Sequence, residues 1–305
     1  MGFLSSPATK SSEFSVKGHV TCIGCGNETY ANAEYCQRCQ MPLELSRLAL
    51  VRGSRPSFIP ILGASNAGKT VYIGMLLDML SKGSHGLVGL PNNALSVAVQ
   101  QGTISALENR RFPDKTVCEA EEWQWIHCEV AVDAKARRFV DIVTPDLAGE
   151  AIALEVDHPG SYPSIKSCVI HASAMIILID AVRARDGGSE EDLFATKLAT
   201  YMYQLKCKSD GKNRPKPVEL PVAVTFTKSD SCPEAADDPM GFARANLPSL
   251  MQYCRRNFFR VGFFASSAVG SVATIHDDFD GDRQIPLHVQ PRGIVEPVQW
   301  IINKK

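Results

Sequence analysis

Three groups of residues in this 305-residue chain have the types and spacing to do chemistry. The first is Cys22-Ile23-Gly24-Cys25 followed, ten residues later, by Cys36-Gln37-Arg38-Cys39. Each C-x₂-C turn can place two thiolates on one ion, and two turns complete a tetrahedral Zn²⁺ site with no open position. The second is Gly63-Ala64-Ser65-Asn66-Ala67-Gly68-Lys69-Thr70, which fits G-x-x-x-x-G-K-[ST]. Such a loop cradles phosphates with backbone N–H groups at a helix N-terminus. Lys69 would reach the β- and γ-phosphates, and the Thr70 hydroxyl would ligate Mg²⁺.

The third group lies further on. Asp146-Leu147-Ala148-Gly149-Glu150 follows the apolar run 139–143. A carboxylate at a strand end can hold Mg²⁺, and Gly149 lets its N–H approach a γ-phosphate without a side-chain clash. Asp141 competes for the same role but carries no glycine three residues later. Thr227-Lys228-Ser229-Asp230 caps the run 222–226. The Asp230 carboxylate can accept from guanine N1–H and its 2-amino group, whereas adenine leaves it unpaired. The Lys228 stem can lie along the purine face. Ser266-Ser267-Ala268 ends a further apolar run, where a backbone N–H can contact guanine O6.

The elements that must position these residues follow from pattern. Apolar runs at 57–62, 123–132, 138–143, 174–180, 222–227 and 261–266 read as strands. Segments 69–82, 190–206, 240–258 and 296–303 read as helices, with an extra one at about 95–109. Their alternation predicts an α/β fold with a mostly parallel sheet flanked by helices. The short link at 133–136 predicts an antiparallel hairpin. The expected organisation is a Ser/Thr-rich tail over 1–18, a zinc ribbon over 19–42, an exposed linker with one short helical turn over 43–55, and a nucleotide domain over 56–305. The ribbon is too short to fold on apolar burial alone, so the metal would supply its folding energy. Segment 270–291, with Asp277, Asp278, Asp280 and Asp282, reads as a solvated acidic insertion rather than a calcium loop.

Composition excludes several classes. With 32 basic and 33 acidic residues the formal charge is −1, unlike a strongly basic nucleic-acid binder. No apolar run is long enough to span a bilayer. The first residues lack the features of a secretory leader. The six remaining cysteines have no disulfide-framework spacing and suit a reducing cytoplasm, the expected location.

The order GASNAGKT, DLAGE, TKSD, SSA resembles the nucleotide motifs of Ras-like P-loop GTPases over residues 56–305. Run 176–181 resembles the central strand of such domains, and 296–302 their closing helix. Among GTPases the chain is more similar to divergent bacterial double-GTPase proteins, some linked to conflict or defence systems, than to translation factors. The resemblance implies a G domain that binds GTP and GDP with Mg²⁺ and hydrolyses GTP as a switch, a slow one here because the Glu150 carboxylate would be repelled beside the γ-phosphate. It implies catalytic roles for Lys69, Thr70, Asp146 and Glu150. Nucleotide contacts would come from Gly63, Asn66, Ala67, Gly68, Gly149, Thr227, Lys228, Asp230, Ser267 and Ala268. A protein partner would engage the switch regions or the ribbon, and a homodimer across the nucleotide is left open.

The chain also departs from the Ras-like pattern. Glu150 stands where Gln usually orients the attacking water, and Thr227 replaces the usual Asn. Thr116 is the first choice for the switch-I threonine and Thr103 the second. Arg110, Arg111, Arg183 and Arg185 read as surface charges before they read as an arginine finger. Two other readings compete: an ATPase on the same core, and a nucleotide-independent adaptor acting through the ribbon.

Overall fold

The computed structural model describes residues 18–53, 56–133, 138–207, 216–277 and 281–303. The expected tail, the 134–136 turn, Asp278 and Asp280 lie outside them. The N-terminal elements are β1 (His19–Thr21), β2 (Glu28–Tyr30) and α1 (Leu43–Arg52). Next come β3 (Ser57–Phe58), β4 (Ile61–Gly63), α2 (Lys69–Ser81), β5 (Val88–Pro91), α3 (Ala94–Glu108), β6 (Trp125–Asp133) and β7 (Arg138–Pro145). They are followed by α4 (Gly149–Asp157), α5 (Pro163–His171), β8 (Met175–Asp180), α6 (Ala181–Asp186), α7 (Ser189–Lys206) and β9 (Val218–Thr227). The chain closes with α8 (Pro233–Asp237), α9 (Pro239–Asn246), α10 (Pro248–Asn257), β10 (Phe258–Ala265), β11 (Ser267–Asp277), β12 (Gly281–Arg292) and α11 (Glu296–Ile302).

Strands β10, β9, β8 and β4 form a parallel ladder in that order. A second ladder runs β3-β7-β6-β5, with β3 parallel to β7 and the remaining pairs antiparallel. The expected strand 57–62 is split because Pro60 has no N–H to donate to a ladder. Hydrogen bonds carry the sheet across the split. Ile59 N donates to Val143 O (3.0 Å), Ser173 N to Phe58 O (2.8 Å), and Ile176 N to Pro60 O (3.1 Å).

Both faces of this sheet are buried, and strand alternation divides them. Leu62, Met175, Ile177, Ile179, Val222, Val224 and Phe226 pack under α4, α5, α7, α9 and α10. Ile61, Ile176, Leu178 and Ala223 pack with α2, α3 and α11 on the other side. That is why these strands read as unbroken apolar runs.

Three further expectations differ from the observed structure. Segment 240–258 is two helices, not one, because Pro248 starts α10 and cannot continue α9. Segment 270–291 is not a loop but most of the β11–β12 hairpin. Residues 43–52, expected as an exposed connector, form the helix α1 and bury Leu43, Leu45 and Ala49. These join the buried cysteines of the ribbon to Phe58, Trp125, Val143 and Cys168 of the larger domain. Arg52 clamps the junction, donating to Asp141 at 2.8 and 2.7 Å and pairing with Glu129 at 2.9 Å. The buried His127 meets Asp141 at 2.9 Å. His127 and Arg52 together hold the Asp141 carboxyl below its ordinary value.

Helices α2 and α3 pack along an apolar seam that includes one glycine. A Cβ on Gly74 would overlap the Thr103 hydroxyl, so Gly74 sets how closely the P-loop helix meets α3. Gly74→Ala, which stabilises an ordinary helix, is expected here to cost roughly 1–3 kcal/mol by overpacking. Chemical denaturation checks this, and an unchanged or higher midpoint would refute the close-approach argument.

Candidate functional site

The loop between β4 and α2 is shaped by two left-handed residues, Asn66 (φ 63°) and Gly68 (φ 79°). They turn the backbone so that the start of α2 faces a cavity of about 710 Å³. That size suits a small-molecule ligand (typically ~300–1,000 Å³). The cavity is bounded by the loop 65–72, segment 112–116, the start of α4, and the ends of β8 and β9.

Lys69 is buried, and its Nζ donates to Gly63 O (3.2 Å) and Ala64 O (2.9 Å). Burial pulls its ammonium down to about 8, opposed by the charges of Asp146 and Glu150. Asp146 lies just beyond β7 and is only 4 % exposed. Burial raises its carboxyl above the ordinary value, and hydrogen bonds from Thr70 and Thr116 oppose the rise. Thr70 Oγ1 donates to Asp146 Oδ1 at 3.3 Å and Thr116 Oγ1 to Oδ2 at 3.1 Å. The two hydroxyls are 3.0 Å apart. Two hydroxyl oxygens and one buried carboxylate therefore converge, a set of hard oxygen donors that fits Mg²⁺.

Thr116 and Thr103 separate clearly. Thr116 joins Thr70 and Asp146, while Thr103 is buried against Gly74 in the α2–α3 contact. Asp141 and Asp146 also part company. Asp141 sits on β7 and pairs with α1, whereas Asp146 is past the strand end and faces the cavity loop.

Gly149 begins α4 directly against the phosphate loop, where a Cβ would overlap Ser65 N. The next residue, Glu150, accepts from Ser65 Oγ at 2.5 Å. That bond is the main reason its carboxyl sits below the ordinary value. Arg183 reaches the same spot. Its Nη1 donates to Ser65 O at 3.3 Å and its Nη2 pairs with the buried Glu191 at 2.8 Å.

The second loop of the site follows β9. Thr227 Oγ1 donates to Ala67 O (2.9 Å) and Ile179 O (3.2 Å), tying this loop to the phosphate loop and to β8. Lys228, in left-handed conformation, extends to Asp180 Oδ2 at 2.5 Å. Asp180 also accepts from Val182 N and Arg183 N, capping α6. Ser267 Oγ donates to Asp230 Oδ1 at 2.9 Å, and Ser231 Oγ to Oδ2 at 3.2 Å. Ser266 N bonds Phe226 O at 2.7 Å, so the 266–268 turn is pinned beside Asp230. Ala268 and the apolar side chains of Phe112, Val269, Val272 and Ile294 complete this wall. Tyr72 Oη donates to Ile294 O at 2.7 Å and holds it to α2.

Sequence reasoning overlooked several of these residues. Ser65 occupies a variable position of the loop motif, and Lys115, which lines the cavity and helps lower the Glu150 carboxyl, carries no local signal. Asp180 could have been found, since an Asp ending an apolar run before a helix is a cap signature. Arg183 reads in sequence as a surface charge, and only its contacts to Ser65 O and Glu191 tie it to the site.

A second cluster lies outside the cavity. Cys22, Cys25, Cys36 and Cys39 present four sulfurs within 4.8 Å of one another. Cys22 and Cys39 are 3.6 Å apart, and Cys25 and Cys36 are 3.5 Å apart. Tetrahedral thiolates at ~2.3 Å from an ion lie about 3.8 Å from one another, so the four residues fit a metal. Ser46 of α1 accepts from Ile23 N, and Arg47 donates to Ala31 O and Ala33 O, fastening α1 to the knuckles.

Residues 57–276 match the family model Double-GTPase 2. No curated protein matches the chain. Among solved structures, the chain is similar to nucleolar GTP-binding protein 1 from Plasmodium falciparum at 11% identity and a TM-score of 0.40, covering 82% of this chain and 88% of that one. It is similar to the signal recognition particle receptor SRb-GTP/SRX complex from Chaetomium thermophilum at 14% identity and a TM-score of 0.35, covering 71% and 92%. The GTP-bound S. cerevisiae Ski7 GTPase-like domain aligns at 15% identity and a TM-score of 0.37, covering 72% and 45%.

Proposed function

The chain belongs to the Double-GTPase 2 family, and from that premise we propose a guanine-nucleotide-binding protein that slowly hydrolyses GTP and acts as a molecular switch. One observation carries the proposal: the hydroxyls of Thr70 and Thr116, which line the same cavity as Lys69 and Asp230, meet each other and the buried Asp146 carboxylate behind them. Thr70, Thr116 and Asp146 would hold Mg²⁺, Asp146 directly or through water. The ion would offset the charge of the triphosphate. Lys69 and the N–H groups of 66–70 would take the β- and γ-phosphates. Asp230, already oriented by Ser267, would accept from guanine, with the Lys228 stem against the ring and Thr227 holding the two loops in register. Gly68 and Gly149 would keep the backbone close to the phosphates, while Gly63 lets β4 approach Leu178 O of β8.

In the hydrolytic step a water oxygen bonds to the γ-phosphorus. The bond to the β–γ bridging oxygen breaks, and its electron pair leaves with GDP. Glu150 accepts the water proton and returns it to the departing phosphate. Thr116 and Gly149 would follow the γ-phosphate, so its loss would release segment 112–116 and the start of α4. Among the described residues no helix is long and apolar enough to cross a membrane. The four-cysteine module would hold structural zinc and, with segment 112–116, offer a face to a protein partner. A role in bacterial conflict or regulatory systems follows from the family resemblance.

Two measurements test this reading. Displacement of a fluorescent GTP analogue, with Mg²⁺, should occur with GTP and GDP, and ATP should be ~100-fold weaker or worse. Lys69→Ala should abolish the contribution of the γ-phosphate, and Asp230→Asn should move preference toward xanthine nucleotides. Equal competition by ATP would make the site an adenine-tolerant ATPase, and no nucleotide binding would leave an adaptor. Separately, the purified chain should carry one zinc per molecule by elemental analysis, and Cys36→Ser should lose it together with thermal stability. A zinc-free wild type of unchanged stability would refute the metal assignment.

A further inference from the structure

The proposed mechanism gives Glu150 a task without explaining what holds it there. Glu150 is the second residue of the nine-residue helix α4 and is largely exposed to the cavity. A carboxylate on a surface side chain has several rotamers, and only a subset points at any one place. Its Oε1 is occupied by the Ser65 hydroxyl at 2.5 Å. Its own backbone N–H steadies the carboxylate further, and no other side chain binds it among the described contacts, which leaves Oε2 open to a water.

Ser65 is itself fixed from two sides. Gly149 packs against its N and Cα so closely that only glycine fits. Arg183 binds its carbonyl at 3.3 Å and is anchored in turn by the buried Glu191 at 2.8 Å. The backbone that carries the Ser65 hydroxyl is thus held in place, and the neighbouring Lys115 and Lys69 supply positive charge around the anion it binds.

We propose that Ser65 is a positioning residue for hydrolysis: its hydroxyl fixes one oxygen of Glu150, so that the other faces the water attacking the γ-phosphate. This rests on the guanine-nucleotide reading of the site. Ser65 acts through Glu150 and contributes to the chemical step rather than to binding. Misplacing a group that must align with the reacting atoms slows chemistry by about 10- to 100-fold.

The test uses the full chain with Mg²⁺ and measures GTP affinity and the single-turnover hydrolysis rate for wild type, Ser65→Ala, Ser65→Thr, Glu150→Ala and the Ser65→Ala/Glu150→Ala double variant. Ser65→Ala should slow hydrolysis about 10- to 100-fold, with GTP affinity within ~2-fold. Ser65→Thr, which keeps the hydroxyl, should restore the rate. Ser65→Ala should add nothing to Glu150→Ala, because both remove the same oriented carboxylate. A Ser65→Ala rate equal to or above wild type overturns the inference, as does a parallel loss of GTP affinity. Multiplicative effects in the double variant also overturn it. A wild type that binds GTP but does not hydrolyse it overturns the positioning role alone, whereas a wild type that does not bind GTP fails the functional reading itself.

Discussion

Asp146 is a carboxylate buried to 4 % exposure whose described hydrogen-bond partners are two threonine hydroxyls. Removing such an anion from water is expensive unless positive charge and donors surround it. The architecture around it follows from that constraint. Lys69, also buried, lies close enough to oppose the effect of burial on Asp146. Thr116 is drawn in from a long segment with no regular structure, although it lies 46 residues from Thr70. Segment 112–116 is placed by this contact and by the packing of Phe112 against the α2–α3 side of the sheet.

The sheet makes that convergence precise. Its parallel half ends at one edge, so the loops after β4, β8 and β9 open on the same cavity, as expected for ligand sites of open α/β sheets. The antiparallel half does different work. On β7, Asp141 and Val143 share the face that receives α1, while Ile142 points to the opposite core. The two aspartates that compete in the sequence are therefore divided by position: Asp141 lies within the strand and binds the ribbon helix, and Asp146 lies beyond it. The Arg52–Asp141–His127 contact is partly exposed, so its contribution is orientation of α1 more than stability.

Much of the domain was legible because the central strands are buried on both faces and leave apolar runs of recognisable length. The loop motif, Gly149 and the TKSD segment were legible because each needs particular residue types. Other features had no local signature. Bulges at Ser267–Val272 break the alternation of β11, which hid a hairpin inside an apparently acidic loop. The buried side of α1 becomes apparent only against Trp125 and Phe58, which are distant in sequence. Thr116 is one threonine among many until the fold sets it beside Thr70. Ser65 and Arg183 could not be weighed because their meaning lies in mutual contacts across 118 residues.

Lys69 and Asp146 also bear on each other's ligands. Burial drives each toward its neutral form, the lysine to about 8 and the aspartate above its ordinary value. A triphosphate offsets the burial of Lys69 but brings further negative charge toward Asp146. A divalent cation does the reverse. Either ligand alone relieves one group while loading the other. A metal–triphosphate unit relieves both at once, so on the proposed function metal and nucleotide affinities are reciprocally coupled. The hydroxyls of Thr70 and Thr116 are the geometric expression of that coupling, since the same two oxygens that serve the carboxylate would turn toward the ion when it arrives.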